Sequence, residues 1–212
     1  MIRRTLASLP LFVLATSLWL GGTAAIAADE SPEALIKRLS AEVLDGIRSD
    51  PSVRTGDVSK IVLLVDRKIM PNVDFERMTA SAIGPQWRQA TPEQQKRLQE
   101  EFKTLLVRTY SGALAQVSDQ TIVVKPLRAA AEDKEVVVRT EVRGRGDPIQ
   151  LDYRLEKTPG KGSGWQIYNL NVLGVWLVET YRSQFAQEIS SKGLDGLITV
   201  LSERNKSNAS KG

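Results

Sequence analysis

The hydrophobic pattern of the sequence changes its period twice, and this constrains the fold more than any other feature. Apolar residues recur at helical spacing from Ser31 to about Ala115 and alternate with polar residues from Gln120 to Val172. Helical spacing then returns after Leu173. A run of helices followed by a run of strands is typical of an α+β fold. We therefore predict helices packed on one face of a curved antiparallel sheet of about four to five strands.

Capping signals place the predicted helices. The clearest is the run Thr91-Pro92-Glu93-Gln94, a capping box with proline at the first helical position. A loop is expected over residues 50–57, between the first two helices. The predicted helices run from Ser31 to about Ile47, from Ser59 to Ile69, from Asp74 to Ala82, from Thr91 to about Ala115, from Leu173 to Gly193 and from Leu194 to about Ser202.

Four strands are predicted between the long helix and the last helices. In the third, Leu151 and Tyr153 alternate with Asp152 and Arg154, so one face of the sheet is expected to be apolar and the other wet. Short turn-rich connections favour a meander. The predicted strands cover Gln120 to Pro126, Glu135 to Arg143, Ile149 to Glu156 and Trp165 to Val172.

The first residues have the pattern of a cleavable export signal. Arg3 and Arg4 precede an apolar stretch from Leu6 to Leu20, and Ala25-Ile26-Ala27 is a small-residue cleavage site. We predict that residues 1–27 are removed, rather than retained as a signal anchor. The protein is then expected to work outside the cytoplasm, and it has no later apolar run long enough to cross a bilayer.

The remainder is predicted to form one domain over residues 28–203, followed by a polar, disordered tail over 204–212. The chain contains no Cys and no His, which excludes disulfides, Ser-His-Asp triads and the usual zinc or copper ligands. We predict no catalytic residue, no metal site and no cofactor. The net charge of +4 is too mild to indicate nucleic acid binding. One enzymatic alternative is the carboxylate pair Asp152 and Glu156, although alternating charges on a wet sheet face explain it more simply.

Three segments of the sequence carry a family resemblance. The first runs from Pro71-Asn72-Val73-Asp74-Phe75 to Ile83-Gly84-Pro85-Gln86-Trp87, the second is the long helix with Phe102 and Tyr110, and the third runs from Trp165-Gln166-Ile167-Tyr168-Asn169 to Tyr181-Arg182-Ser183-Gln184-Phe185. Together they resemble the MlaC family, also called the toluene-tolerance family, of periplasmic phospholipid carriers. The pattern departs at Asn169 and Leu173, where the family usually or often has an acid, and at Trp176, where a small residue is common.

The resemblance implies a deep apolar cavity between sheet and helices that holds the acyl chains of a phospholipid, with the head group in solvent. It also implies a periplasmic carrier that shuttles lipid between an outer-membrane lipoprotein complex and an inner-membrane ABC transporter complex, and so maintains outer-membrane lipid asymmetry. Phospholipid is then the cargo, and a monomer is expected. A different class remains open, an NTF2-like periplasmic adaptor of sheet and helices that binds a protein segment.

Candidate cargo contacts follow from the apolar sheet face and the helices that flank it. For each of them the alternative is an ordinary core position. Arginines near the turn at Gly144 are predicted to lie close to a lipid phosphate, the alternative being simple solvation; they are Arg143, Arg145 and Arg154. The predicted lining residues are Phe75, Met78, Leu106, Tyr110, Val138, Ile149, Leu151, Tyr153, Val175, Trp176, Tyr181 and Phe185.

Overall fold

The computed structural model describes residues 30–117, 119–130 and 132–209. The predicted export signal, residues 1–27, lies outside this range. Within it the chain forms helices and one antiparallel sheet, which confirms the predicted α+β class. None of the helices described is long and apolar enough to cross a membrane.

The helices are α1 (Pro32–Ser49), α2 (Pro51–Arg54), α3 (Val58–Leu64), α4 (Phe75–Ile83), α5 (Pro92–Ala115) and α6 (Leu177–Ala209). A π-helical turn (Val65–Ile69) and a 3-10 turn (Met70–Asn72) join α3 to α4, and a second 3-10 segment (Gly84–Gln89) joins α4 to α5. The strands are β1 (Thr121–Val124), β2 (Glu135–Arg143), β3 (Ile149–Lys157), β4 (Trp165–Val172) and β5 (Val175–Trp176).

Local capping explains where three of the helices begin. The Ser31 hydroxyl accepts from the backbone N–H of Ala34 at the start of α1, and the Asp74 carboxylate accepts from that of Arg77 at the start of α4. Thr91 and Gln94 form the predicted capping box of α5, each side chain accepting from the other's backbone N–H. These contacts satisfy N–H groups that have no partner inside a helix.

Two predictions about the chain's course are wrong. Residues 51–54 form a helical turn rather than a loop, because the Asp50 side chain accepts from the backbone N–H of Ser52 and so caps it. The tail predicted to be disordered from residue 204 is helical through Ala209. Asn205 is buried there, and its amide donates to the backbone carbonyl and the carboxylate of Glu101 on α5. α6 bends at Gly193, whose φ of 69° is not helical.

The sheet is a meander in the order β1-β2-β3-β4-β5, with every neighbouring pair antiparallel. Leu151 lies opposite Val172, and Tyr153 lies opposite Leu170. The β3–β4 register shifts between Arg154 and Leu155, so that β4 contains one extra residue at this point. The chain before α4 extends the edge of β4 through a parallel bridge between Val73 and Ile167.

The second face of the sheet is polar, as predicted, but it is not simply wet. Asp152, Asn169 and Asn171 are only 5%, 1% and 4% exposed. The Asn169 and Asn171 side chains accept hydrogen bonds from the backbone of Val178 and Gly174, so the chain that follows β4 covers them. The prediction fails because strand alternation reports the polarity of a face and not what packs on it.

The helices approach the apolar face from its two sides. α1 lies over β1 and β2, while α4 and α6 lie over β4. α5 packs on α3, α4 and α6. One cluster of buried side chains joins α4, α5 and α6, and another joins α1 to the sheet. The middle strand β3 is thus covered by α1 at one end, where Leu155 and Tyr153 pack with the α1 cluster.

Candidate functional site

Half-buried apolar side chains of α5 and of β4 pack against the same buried cluster, which joins α4, α5 and α6. On β3 and β4, Leu151 and Val172 lie in register and are incompletely buried. On α5, Leu106 and Tyr110 are also half-buried and pack against the cluster formed by α4, α5 and α6. Because well-packed interiors leave little accessible surface on such residues, the region between α5 and these two strands is the candidate for an apolar space.

Tyr153 locates the inner end of this space. Its side chain keeps accessible surface, yet burial raises the pKa of its hydroxyl to about 12, with hydrogen bonds to Thr140 and Ser40 acting in the opposite direction. The hydroxyl is therefore shielded from bulk water, and the ring packs against the α1 cluster. Burial also raises the pKa of Tyr110, at the α5 side of the space. Both phenols stay neutral near neutral pH, which suits an apolar lining.

An exposed apolar patch lies at one end of the sheet. Leu173, Val175 and Ile149 are 65%, 51% and 44% exposed, and among the residues described only Leu63 is a comparable exposed hydrophobic. Val175 lies in register with Val172, and the backbone N–H of Leu173 donates to the carbonyl of Gln150. We call Ile149, Leu173 and Val175 the rim. Ile149 precedes Leu151 by two residues on β3 and Val175 lies opposite Val172, so both share the apolar face, on which Thr140 lies opposite Leu151.

Leu173 occupies a strained position within the rim. Its φ of 52° makes it the single non-glycine residue with positive φ among those described, and Gly174 follows with a φ of 85°. A left-handed conformation costs an ordinary side chain about 1–2 kcal/mol. A large apolar side chain held exposed at such a position is a candidate for a functional contact.

Several predicted lining residues lie in fully packed core. Met78, Tyr181 and Phe185 belong to the cluster of α4, α5 and α6, and Val138 belongs to the α1 cluster. The Phe102 ring lies 5.0 Å from Tyr181 and 5.3 Å from Phe185 between ring centroids, in edge-on contacts typical of a rigid core. Phe75 packs at the margin of the same cluster. Five predicted lining residues therefore support the apolar space or form its walls; they are Phe75, Met78, Val138, Tyr181 and Phe185.

Two predicted contacts are placed on the opposite face of the sheet. Trp176 lies in register with Asn171, and Arg154 with Asn169, both on the polar face. The guanidinium of Arg154 stacks on the Trp176 ring and pairs with Glu179. The predictions that Trp176 lines the cavity and that Arg154 meets the head group do not fit this arrangement. Arg143 and Arg145 remain at the rim end of the sheet, paired with Glu141 and Asp119.

Sequence reasoning missed Leu170, Val172 and Leu173 as site residues. Leu170 and Val172 share the apolar face with Ile167 only because the register shift adds one residue, Tyr168, to β4 directly after Ile167. Strict alternation along β4 would place Ile167 on one face and Leu170 on the other. Leu173 gives a weak signal, a large apolar residue just before a glycine in a turn.

Among the residues described, no group of three or more acidic side chains is arranged to hold a metal ion. The two carboxylates considered as an enzymatic alternative, those of Asp152 and Glu156, contact different partners. Glu156 pairs with Arg77 of α4, while Asp152 accepts from the amide of Gln150 at 2.7 Å. Each carboxylate is thus engaged by a neighbouring side chain.

Comparison with known proteins agrees with this geometry. The family model described as MlaC protein matches residues 37–203. The chain is 28% identical to toluene tolerance protein ttg2D of Pseudomonas putida over 170 residues, covering 79% of this chain and 77% of that protein. It is 23% identical over 179 residues to the intermembrane phospholipid transport system binding protein MlaC of Haemophilus influenzae, covering 83% of both.

A solved structure is also similar over nearly its whole length. It is the phospholipid-binding protein from Ralstonia solanacearum, determined in complex with a phospholipid. It is 49% identical in sequence and superposes with a TM-score of 0.81, covering 85% of this chain and 99% of that one. Its fold is therefore that of the chain described above.

Proposed function

The chain belongs to the MlaC family, and we propose that it is a periplasmic phospholipid carrier that holds the acyl chains between α5 and the sheet. The observation that carries the proposal is the run of exposed and half-buried apolar side chains along one face of the sheet, from the rim through Leu151 and Val172 to Tyr153. The similarity to a protein solved with a bound phospholipid supports the same cargo.

The energetics of lipid transfer explain why such a path is needed. A diacyl lipid that leaves a bilayer exposes on the order of 30 methylenes, at about 0.8 kcal/mol each, or roughly 24 kcal/mol. An apolar lining replaces most of this cost, and a lining that holds the lipid by apolar contacts rather than by ion pairs lets it leave again. Tyr110 and Tyr153, with their raised pKa values, add no charge to the lining near neutral pH.

The orientation of the lipid follows from where the path opens. We place the acyl chains against Leu151 and Tyr153 and the head group at the rim. Arg143 and Arg145 lie at the same end of the sheet, and Arg145 is largely exposed, so a lipid phosphate held there would meet positive charge.

Family membership supports the larger role. We propose that the export signal delivers the protein to the periplasm, where it shuttles phospholipid between an outer-membrane and an inner-membrane complex. No chemical step is proposed, since a carrier returns its cargo unchanged.

The test is the lipid content of the purified protein. Organic extraction followed by mass spectrometry is expected to yield phospholipid, and delipidated protein is expected to take up phospholipid from vesicles. Native mass spectrometry separates this function from that of an adaptor, because the bound mass is that of a lipid rather than a peptide. A protein that neither carries lipid nor acquires it from vesicles would overturn the proposal.

A further inference from the structure

A groove with no part in the apolar path runs between the 3-10 segment Gly84–Gln89 and α6. It consists of two clefts of about 640 and 590 Å³ that share Gln89 in their lining. The larger cleft is lined by Arg77, Arg88 and Arg182 together with Trp87 and small residues, and it contains no carboxylate. The smaller continues along α6 to Gly193 and Asp195.

The positive charge of the groove is only partly neutralised. Arg77 is engaged, because it contacts Glu135 at 2.6 Å and also pairs with Glu156. Arg88 and Arg182 are exposed, and within the part of the chain that the structure describes neither forms an ion pair or a side-chain hydrogen bond. Two cations on one concave surface without acidic partners favour an anionic occupant.

Side-chain amides supply a second kind of contact. Gln86 and Gln89 line the groove and make no side-chain hydrogen bond to the residues described. Gln94, by contrast, is held by Thr91 and by Asp195. A free amide carries both donors and an acceptor, which match the alternating groups of an extended peptide backbone. Both clefts are shallow and open, so a segment that lies along them keeps one side in solvent.

The Arg77 end of the groove lies far from the rim. Arg77 pairs with Glu156 near the end of β3, whereas Ile149 of the rim begins the same strand. At about 3.3 Å per residue, the length of strand between them is about 23 Å. Arg182 lies closer to the rim, since two extended residues and five helical residues separate it from Val175, a span of about 14 Å. No rim residue lines either cleft.

We propose that this groove binds an extended acidic segment of a partner protein, with Arg88 and Arg182 meeting its carboxylates and Gln86 and Gln89 its backbone. The inference goes beyond lipid carriage, because it assigns a protein-docking surface that shares no lining residue with the rim.

The test uses a fluorescently labelled peptide of alternating Glu and Ala, about eight residues or roughly 26 Å when extended. Anisotropy measured with the purified protein at low ionic strength is expected to show binding that weakens as salt is added. The double variant R88E/R182E is expected to bind about tenfold more weakly or worse. The charge-matched control R54E/R128E changes two exposed arginines outside the groove and is expected to bind as the wild type does.

The outcomes separate this inference from the proposed function. Phospholipid uptake from vesicles is expected to be the same in R88E/R182E as in the wild type, whatever the peptide result. Retained peptide binding in R88E/R182E, or an equal loss in the control, would overturn the proposal. The proposal would also be overturned if the wild type binds no peptide but floats with anionic vesicles, and R88E/R182E does not float. If R88E/R182E unfolds, R88Q/R182Q is measured in its place and the same loss is expected.

Discussion

The guanidinium carbon of Arg154 lies 3.9 Å from the centroid of the Trp176 ring, and the same guanidinium pairs with Glu179 in the first turn of α6. Asn169 completes this cluster, since its amide donates to Glu179 at 2.8 Å while its carbonyl oxygen accepts from the backbone N–H of Val178. Burial acts to raise the pKa of Glu179, but the hydrogen bonds from Asn169 and Arg154 outweigh it, so its pKa lies below the usual value. The cluster fastens the start of α6 to the polar face of the sheet.

This arrangement predicts that Trp176 supports the fold and not the cargo. Trp176→Ala removes a cation–π contact and apolar area, so the free energy of unfolding is expected to fall by about 1–2 kcal/mol. Co-purified phospholipid, measured by mass spectrometry, is expected to stay at the wild-type ratio. A variant that keeps its stability but loses its lipid would contradict this assignment.

Leu151 tests the proposed path directly. Leu151→Asp places a charge against the acyl chains, and burying an unpaired carboxylate is costly, so lipid content is expected to fall at least about tenfold. The matched control is Val137→Asp, the same kind of change at a half-buried strand position on the polar face of the sheet. Circular dichroism is expected to show both variants folded. Equal lipid content in the two would count against the path, and unfolding of Leu151→Asp alone would assign Leu151 to the core.

Features that depend on local signals were predictable from the sequence. The capping box at Thr91 and the cap at Asp74 set the starts of α5 and α4 where the structure has them. The bounds of β2 and β4 also follow from alternation and turn residues.

Features that depend on one extra residue or on distant contacts were not predictable. The face occupied by Trp176 is set by the register shift near Arg154 and by the turn at Leu173, and neither has a distinctive sequence signal. The end of α6 is held by Asn205 contacting Glu101, which lies far away along the chain. The family resemblance suggested the cargo, but only the paired strands show which side chains face α5.

Tyr153 predicts a dependence of stability on alkaline pH. Its pKa is about 12 in the folded protein and about 10 when unfolded, so the neutral hydroxyl is favoured by folding. This contribution is fully present below about pH 10 and is lost as the pH rises through about 12. The wild type is therefore expected to lose stability relative to Tyr153→Phe over that window, measured by urea unfolding. Curves that run parallel across it would contradict an interior position for this hydroxyl.

A substitution at Leu173 is expected to affect the stability of the fold and the rate of lipid transfer differently. Asn tolerates positive φ better than Leu, so Leu173→Asn is expected to leave the free energy of unfolding unchanged or to raise it by up to about 1 kcal/mol. The variant removes the most exposed apolar side chain of the rim, and uptake of fluorescent phospholipid from vesicles is expected to slow several-fold. Leu63→Asn is the control, since Leu63 is similarly exposed but lies on α3, and its uptake rate is expected to match the wild type. Equal rates for all three proteins would remove the rim from the transfer pathway, because a lipid that enters elsewhere does not contact Leu173.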